Sequence, residues 1–305
     1  MSHLPRKILR RHILAGGLRG RQGRGWSLLI FLCARNTQWK TNRATLDKEK
    51  RASLEGACLS SLKGESMYRL KDQVVIVTGS SSGIGKAIAL RFGAEGAKVI
   101  VTARRMALCE QTVEQITKDG GQAWAIQTDV ADERQVERLI EEVVTRYGRL
   151  DVLVNNAGIV ADGRLAETTT KSFDEVMNVN VRGTFFCCRA GFKHMKKQGG
   201  GTIINMSSVA GVQAWAGTGI YSASKHGIMA LTKSLADEGR PHHIKVSAIC
   251  PGGVADDLVD ASPEEILRSE KIDPFDVAET ALYLATLGKY AVVHQIVIDR
   301  VGADW

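Results

Sequence analysis

The chain has 305 residues, 44% of them hydrophobic, which is enough for the core of one ordinary globular domain. Its formal net charge is +8, but residues 1–66 carry 14 basic and four acidic residues, whereas residues 67–305 carry 27 and 29. Because the larger part is near neutral, nucleic acid is not an expected partner. The longest apolar run, at 28–34, is far shorter than the ~20 residues of a membrane span, so no membrane contact is expected either.

The basic segment 1–66 has two interpretations. Its scattered arginines, with no acidic residue before Asp47, resemble an organellar transit peptide. Alternatively the native start is Met67, because a domain-like pattern begins immediately after it. We favour the second interpretation and expect residues 1–66 to be disordered or absent, in a cytoplasmic protein whose catalytic domain spans 67–305. A transit peptide would instead place the protein in an organelle matrix.

The six cysteines indicate neither a metal site nor a disulfide framework. They lie at positions 33, 58, 109, 187, 188 and 250, with no C-x-x-C spacing and with two of them adjacent. We therefore expect no bound metal, and buried thiols in a reducing compartment.

From residue 73 onward, short β-branched runs alternate with amphipathic segments of helical length. Strands are predicted at 73–78, 98–102, 122–127, 150–154, 201–206, 243–249 and 294–298. Helices are predicted at 83–95, 106–119, 132–147, 172–197, 219–238 and 274–287. The alternation predicts an α/β fold in one domain: a doubly wound parallel sheet of about seven strands, with helices on both faces. A ligand of such a sheet binds beyond the carboxyl ends of the strands.

The first predicted strand runs into a glycine-rich turn, Thr78-Gly-Ser-Ser-Ser-Gly-Ile-Gly85, which opens the first helix. Backbone N–H groups and the helix dipole at such a place bind a pyrophosphate. The glycine spacing differs from the G-x-G-x-x-G dinucleotide fingerprint, so the generic motif does not strictly match. The predicted contacts are Gly79, Ser81, Ser82, Gly83, Ile84 and Gly85.

The end of the second strand, Ala103-Arg104-Arg105, lacks the acidic residue that binds the ribose 2′-hydroxyl of NAD in this fold. Arg104 instead offers a guanidinium for a 2′-phosphate. The sequence therefore predicts a preference for NADP(H), with NAD(H) as the alternative cofactor. The third and fourth strands end in Thr128-Asp129-Val130 and Asn155-Asn156-Ala157-Gly158, at the same edge of the sheet.

Further along the chain, Tyr221 and Lys225 lie four residues apart on one face of a predicted helix. A phenol titrates near ~10, so a nearby ammonium that favours the phenolate makes it a better acid or base at neutral pH. We expect Lys225 to lower the pKa of Tyr221.

These motifs, together with Pro251-Gly252, resemble the short-chain dehydrogenase/reductase family in its compact single-domain branch. Within that branch, the chain resembles 3-oxoacyl-carrier-protein reductases and carbonyl reductases. The resemblance implies a Rossmann-type fold and hydride transfer between a nicotinamide and a small-molecule carbonyl or secondary alcohol. It also implies a homotetramer or homodimer associated through the helices at 172–197 and 219–238.

The resemblance also implies roles for individual residues. Tyr221 would be the general acid/base and Ser208 would orient the substrate carbonyl. Lys225 would tune Tyr221 and bind the nicotinamide ribose, and Asn180 would hold a proton-relay water. The implied cofactor contacts in addition to the turn and Arg104 are Asp129, Val130, Asn156, Ala157, Gly158, Tyr221, Lys225, Pro251, Gly252 and Val254.

The chain departs from the family pattern at Asp256, where a threonine usually contacts the nicotinamide carboxamide. Asp257 and Asp260 follow, and this acidic cluster either repels anionic substrates or is a solvated face. Trp215 is either part of an apolar substrate wall or a packed surface aromatic. The alternative to an enzyme is a catalytically silent regulator or scaffold that binds nucleotide through the same fold.

Overall fold

The structure is a computed structural model that describes residues 69–302, so the expectation for residues 1–66 lies outside it. The strands are β1 Val74–Thr78, β2 Lys98–Ala103, β3 Gln122–Gln127, β4 Val152–Asn155, β5 Gly201–Met206, β6 Ile244–Pro251 and β7 Gln295–Ile298. They form one parallel sheet in the order β3-β2-β1-β4-β5-β6-β7. The order reverses between β1 and β4, so the ligand crevice of this fold lies beyond their carboxyl ends.

Eight α-helices are found within residues 69–302. They are α1 Gly83–Ala94, α2 Met106–Lys118, α3 Glu133–Tyr147, α4 Thr170–Val176, α5 Thr184–Gln198, α6 Gly219–Gly239, α7 Pro263–Arg268 and α8 Pro274–Thr286. No helix in that range is long and apolar enough to cross a membrane.

The sheet is buried on both faces, which explains the continuous apolar sequence of β1. Val75 and Val77 point into a core formed with α1, α2 and α8. Val74 and Ile76 point into a second core formed with α3, α5 and α6. Successive side chains of a strand face opposite sides, so a strand covered on both sides has no polar alternation. The predicted doubly wound, single-domain fold is confirmed.

The structure differs from the predicted elements in two places. The helix predicted at 172–197 is α4, a π-helical turn Met177–Gly183 and α5 in succession. The short helix α7 was not predicted, although Ser262 and Glu265 form a capping box at its start.

Candidate active site

A cleft of about 390 Å³ opens at the carboxyl ends of the strands on both sides of the β1/β4 reversal. Predicted site residues that line it are Gly79, Ser81, Ser82, Ile84, Gly85, Arg104, Asp129, Val130, Asn156, Ala157, Gly158, Ser208, Tyr221, Lys225, Pro251, Gly252 and Val254. Gly83 and Asn180 are the two predicted residues that do not line it. The structure therefore brings together residues that are up to 175 positions apart in the sequence.

The glycine-rich turn is tightly held against the end of β4. Gly79 has φ +67°, and a Cβ there would lie 2.8 Å from the Cα of Ala157, so a larger residue would be strained as well as obstructed. The Thr78 hydroxyl accepts hydrogen bonds from the backbone N–H groups of Asn156, at 3.0 Å, and Ala157, at 3.1 Å. The turn and the β4 end consequently form one rigid wall of the cleft.

The N-terminus of α1 holds the carboxylate of Asp256. The N–H of Ile84 donates to Asp256 Oδ1 at 2.6 Å, while the N-cap residue Ser82 makes no side-chain cap. A Cβ on Gly83 would lie 1.9 Å from the same oxygen, so the carboxylate fills the space directly over this glycine. Neither sequence interpretation of the acidic cluster describes this arrangement, because Asp256 is bonded to the phosphate-binding turn itself.

Two arginines stand beside the turn at the end of β2. Arg105 Nη2 donates to Ser82 Oγ at 3.0 Å and to Ser81 Oγ at 3.3 Å. Arg104 is exposed, and its backbone carbonyl accepts from Gln127 Nε2 at 2.9 Å. Sequence reasoning selected Arg104 as a site residue and did not select Arg105, whose contact with the two serines depends on the path of the turn.

The β3 end contributes Thr128 and Asp129 to the cleft. The hydroxyl of Thr128 is buried and has no hydrogen-bond partner within residues 69–302. The adjacent Asp129 is fixed by its own turn, since its Oδ1 accepts from the N–H of Ala131 at 3.0 Å. Buried hydroxyls in proteins normally have a partner, so this one is an exception at the edge of the cleft.

Ser208, Tyr221 and Lys225 meet at the inner end of the cleft. Lys225 is 4% exposed and donates from Nζ to the carbonyl of Met206 at 3.0 Å. The same Nζ lies 5.6 Å from the centroid of the Tyr221 ring. Ser208 Oγ is buried and accepts from the N–H of Ala210 at 3.1 Å. A hydroxyl, a phenol and an ammonium are therefore held around one small volume.

Burial controls the protonation of this cluster. It raises the pKa of Tyr221, as do the charges of Asp162 and Asp256, while hydrogen bonding with Ser208 lowers it. Burial lowers the pKa of Lys225 to about 8. The expectation that Lys225 lowers the pKa of Tyr221 is wrong for this arrangement, because desolvation dominates and two carboxylates disfavour the phenolate.

Asn180 lies behind the cleft in the π-helical turn and is fully buried. Its Oδ1 accepts from the N–H of Ile159 at 2.8 Å. Its Nδ2 donates to the carbonyl of Ile159 at 2.9 Å and to Ser224 Oγ at 3.0 Å. The amide thus fixes the chain after β4 to the first turns of α6, next to Gly158, where a Cβ would come within 3.3 Å of Oδ1.

The structure decides between the two interpretations of Trp215. The apolar residues Ile159 and Val160 line the cleft, whereas Trp215 does not. Trp215 is 51% exposed, so it is a surface aromatic rather than part of a substrate wall.

Comparison with known proteins identifies the family to which this fold and this cleft belong. A model of the short chain dehydrogenase family matches residues 73–266. An uncharacterised oxidoreductase of Bacillus subtilis is 39% identical over 214 residues, or 70% of this chain and 83% of the relative. A 3-oxoacyl-acyl-carrier-protein reductase of Synechocystis is 39% identical over 226 residues, or 72% of this chain and 92% of the relative.

A solved structure shows the same fold. The crystal structure of a metagenomic short-chain oxidoreductase in complex with NADP has a TM-score of 0.68 at 33% identity, covering 76% of this chain and 99% of that one. The chain belongs to the short-chain dehydrogenase/reductase family, and its class is that of oxidoreductases acting on CH–OH and C=O groups.

Proposed function

We propose that this protein interconverts a small carbonyl compound and its secondary alcohol with NADP(H), using Tyr221 as the general acid/base. The observation that carries the proposal is the convergence of Ser208, Tyr221 and Lys225 at the inner end of a dinucleotide-type cleft. A catalytically silent regulator is less favoured, since all three groups are retained and relatives are named as reductases and oxidoreductases.

The residues of the cleft fit an NADP(H) molecule. The tight turn at Gly79 leads into the N-terminus of α1, where N–H groups and the helix dipole favour a pyrophosphate, and Thr128 lines the same cleft. Arg104 and Arg105 supply positive charge for a 2′-phosphate. The structural relative that was solved with NADP supports the same choice.

When bound, the nicotinamide supplies or accepts the hydride, and the protein must supply the proton. Tyr221 would give its proton to the substrate oxygen in reduction and take it back in oxidation. The buried Ser208 hydroxyl would hold that oxygen within reach of the phenol. Lys225, whose ammonium is held at the Met206 carbonyl, would bind the nicotinamide ribose. Asn180 would hold a relay water next to Lys225, in addition to positioning Ile159 and Ser224.

The decisive experiment is Tyr221→Phe, which keeps the ring and removes only the hydroxyl. Removing a general acid costs about 10²- to 10⁴-fold in rate, so we expect turnover of a ketone panel with NADPH to fall by at least that factor. NADPH affinity, measured by nucleotide fluorescence, should stay near the wild-type value. The matched control is Tyr283→Phe, because Tyr283 is 50% exposed on α8. Retained turnover in Tyr221→Phe would remove the proposed mechanism.

A further inference from the structure

The acidic segment after β6 is tied to the phosphate-binding helix by two carboxylates. We call residues 253–262 the strap. The Asp256 carboxylate accepts from the N–H of Ile84 at 2.6 Å. The Asp260 carboxylate accepts from Lys86 Nζ at 2.6 and 2.8 Å. Both contacts are made to the first turn of α1, so the strap lies across the entrance to the pyrophosphate position.

Asp256 fills the space that a dinucleotide pyrophosphate takes in this fold. The free N–H groups and the positive end of the dipole of α1 attract an anion, and the Asp256 carboxylate is such an anion. Asp256 Oδ1 lies 1.9 Å from the position that a Cβ on Gly83 would take. A pyrophosphate and a carboxylate cannot occupy this place together, because they would overlap and repel each other.

The strap is not held in place by backbone pairing with the sheet. At its root, the N–H of Ala255 donates to the carbonyl of Ile272 at 2.9 Å, and the N–H of Ile272 donates to the carbonyl of Gly253 at 2.9 Å. Between 256 and 261 the backbone hydrogen bonds are local, from Leu258 to Ala255 and from Ala261 to Leu258. The polar contacts with α1 are therefore made by the Asp256 and Asp260 side chains, whereas Val259 stays packed in the core formed with α1 and α8. The Asp256 carboxylate can turn away while this packing and the pairing of Ala255 with Ile272 are kept.

We propose that the strap is an autoinhibitory contact, in which the Asp256 carboxylate is an internal competitor for the pyrophosphate position of the cofactor. This inference rests on the proposed use of a dinucleotide cofactor. The cofactor binds only to molecules whose strap has opened, so the observed Kd exceeds the intrinsic Kd by the inverse of the open fraction. Opening also takes away from Tyr221 one of the two carboxylates that raise its pKa, so cofactor entry prepares the proton donor.

The test compares Asp256→Ala with Asp257→Ala in the full chain. Asp257→Ala is the matched control because it removes the same charge from the same segment. The Asp257 carboxylate lies 3.8 Å from Lys271 Nζ and is not the one bonded to α1. In Asp256→Ala we expect NADPH to bind about three- to tenfold more tightly, since that is the scale of an anion at a helix N-terminus. The same variant should unfold at a lower temperature without nucleotide, whereas Asp257→Ala should change neither quantity.

Inhibition predicts that Asp256→Ala binds NADPH more tightly while its stability falls. A merely structural role of Asp256 predicts that both stability and NADPH binding become weaker. Equal or weaker NADPH binding in Asp256→Ala, relative to wild type and to Asp257→Ala, would overturn the inference. Inorganic pyrophosphate is the second probe, because it needs only the α1 position: it should raise the unfolding temperature more in Asp256→Ala than in wild type. If NADPH binds none of these proteins while pyrophosphate shows that difference, the proposed function fails and the strap stands. Equal stabilisation by pyrophosphate counts against the strap.

Discussion

Arg104 and Arg105 are adjacent in sequence but have different surroundings. Arg105 is held by the hydroxyls of Ser81 and Ser82, so it fixes the turn as well as adding charge. Arg104 is exposed and its guanidinium is free to reach a phosphate at the cleft margin. We therefore expect Arg105 to position the turn and cofactor preference to depend mainly on Arg104.

Arg104→Asp is expected to reverse the preference for NADP(H) over NAD(H). A hydrogen bond to a charged group contributes about 1.5 to 3 kcal/mol, so NADPH affinity should fall roughly ten- to a hundredfold. NADH affinity should hold or improve, because the new carboxylate can accept from a ribose 2′-hydroxyl. Fluorescence titration with both nucleotides measures the ratio.

The control for that ratio is Arg138→Asp, on the exposed face of α3, where the side chain pairs only with Glu142 within residues 69–302. An unchanged NADPH-to-NADH ratio in Arg104→Asp would contradict the assignment of Arg104. A fall of the same size in both variants would indicate a general charge effect.

The sequence was sufficient to predict which residues form the site, but not which contacts they make. Gly79 and Tyr221 stand out because their surroundings in the chain repeat a family pattern. The bond between Asp256 and Ile84 spans 172 positions and depends on the path of the strap, which no local pattern encodes. Likewise, the direction of the Tyr221 pKa depends on burial and on Asp162, both consequences of the tertiary fold.

At the scale of elements, strong periodicity made prediction successful and weak periodicity made it fail. β1 to β7 and most helices were found within a few residues, because apolar runs and amphipathic segments alternate clearly. The π-helical turn at Met177–Gly183 has the same backbone direction as its flanking helices, so its sequence pattern is that of one long helix. α7 has six residues, too few to show a period.

The end of α1 is joined to its neighbours by an ion-pair cluster around Glu95. Arg69 donates to the Glu95 carboxylate from its backbone N–H and from Nη2, each at 2.9 Å. Arg91 Nη2 lies 2.7 Å from Glu95 Oε1. Partial burial opposes ionisation, but these contacts outweigh it and lower the pKa of Glu95 to about 2.

Glu95→Gln is expected to make the protein less sensitive to acid. A carboxyl whose folded pKa is lowered stabilises the fold above its ordinary value and loses that contribution as pH falls toward the folded pKa. For Glu95 the window runs from pH 4.5 down to about 2. At pH 7 the variant should be less stable by about 1 kcal/mol, allowing for solvent screening of the exposed arginine partner.

Urea unfolding at pH 7 and at pH 3 measures the effect, and the difference between the two proteins should shrink at the lower pH. Glu110→Gln, an exposed substitution on α2, is the control. A difference that is the same at both pH values would show that the charge of Glu95 is not the cause.

For the whole molecule, composition and alternation predicted one parallel sheet with two covered faces, and handedness rules restricted its topology. The strand order, and hence the neighbours β1 and β4 that frame the cleft, came from the structure. The strand order depends on how the helices pack against the sheet. It could not be predicted from local patterns, because these helices have similar amphipathic patterns. The position of the cleft was nevertheless predictable, because the glycine-rich turn and the polar residues after β2, β3 and β4 all follow strand ends.

We also propose that full-length molecules self-associate through α5 and α6. Phe185 on α5 is 41% exposed, and the Arg189 guanidinium lies 5.0 Å from its ring centroid. A groove of about 230 Å³ between the two helices is lined by Phe185, Cys188, Arg189, Phe192, Lys193, Leu231, Ser234, Leu235 and Glu238. A second copy of the same helix pair would cover this apolar strip and its charged margin, since a two-fold interface is self-complementary.

Phe185→Glu is expected to reduce the molar mass measured by light scattering from that of a dimer or tetramer to that of a smaller species. Burying a phenylalanine contributes about 1.5 to 3 kcal/mol, and the same ring appears in both halves of a two-fold interface. The exposed ring can be replaced without opening the core, so the unfolding temperature of the separated chains should change little. Gln115→Glu on the exposed side of α2 adds the same charge elsewhere and should leave the mass unchanged. A wild-type monomer, or a variant with the wild-type mass, would show that α5 is not the contact.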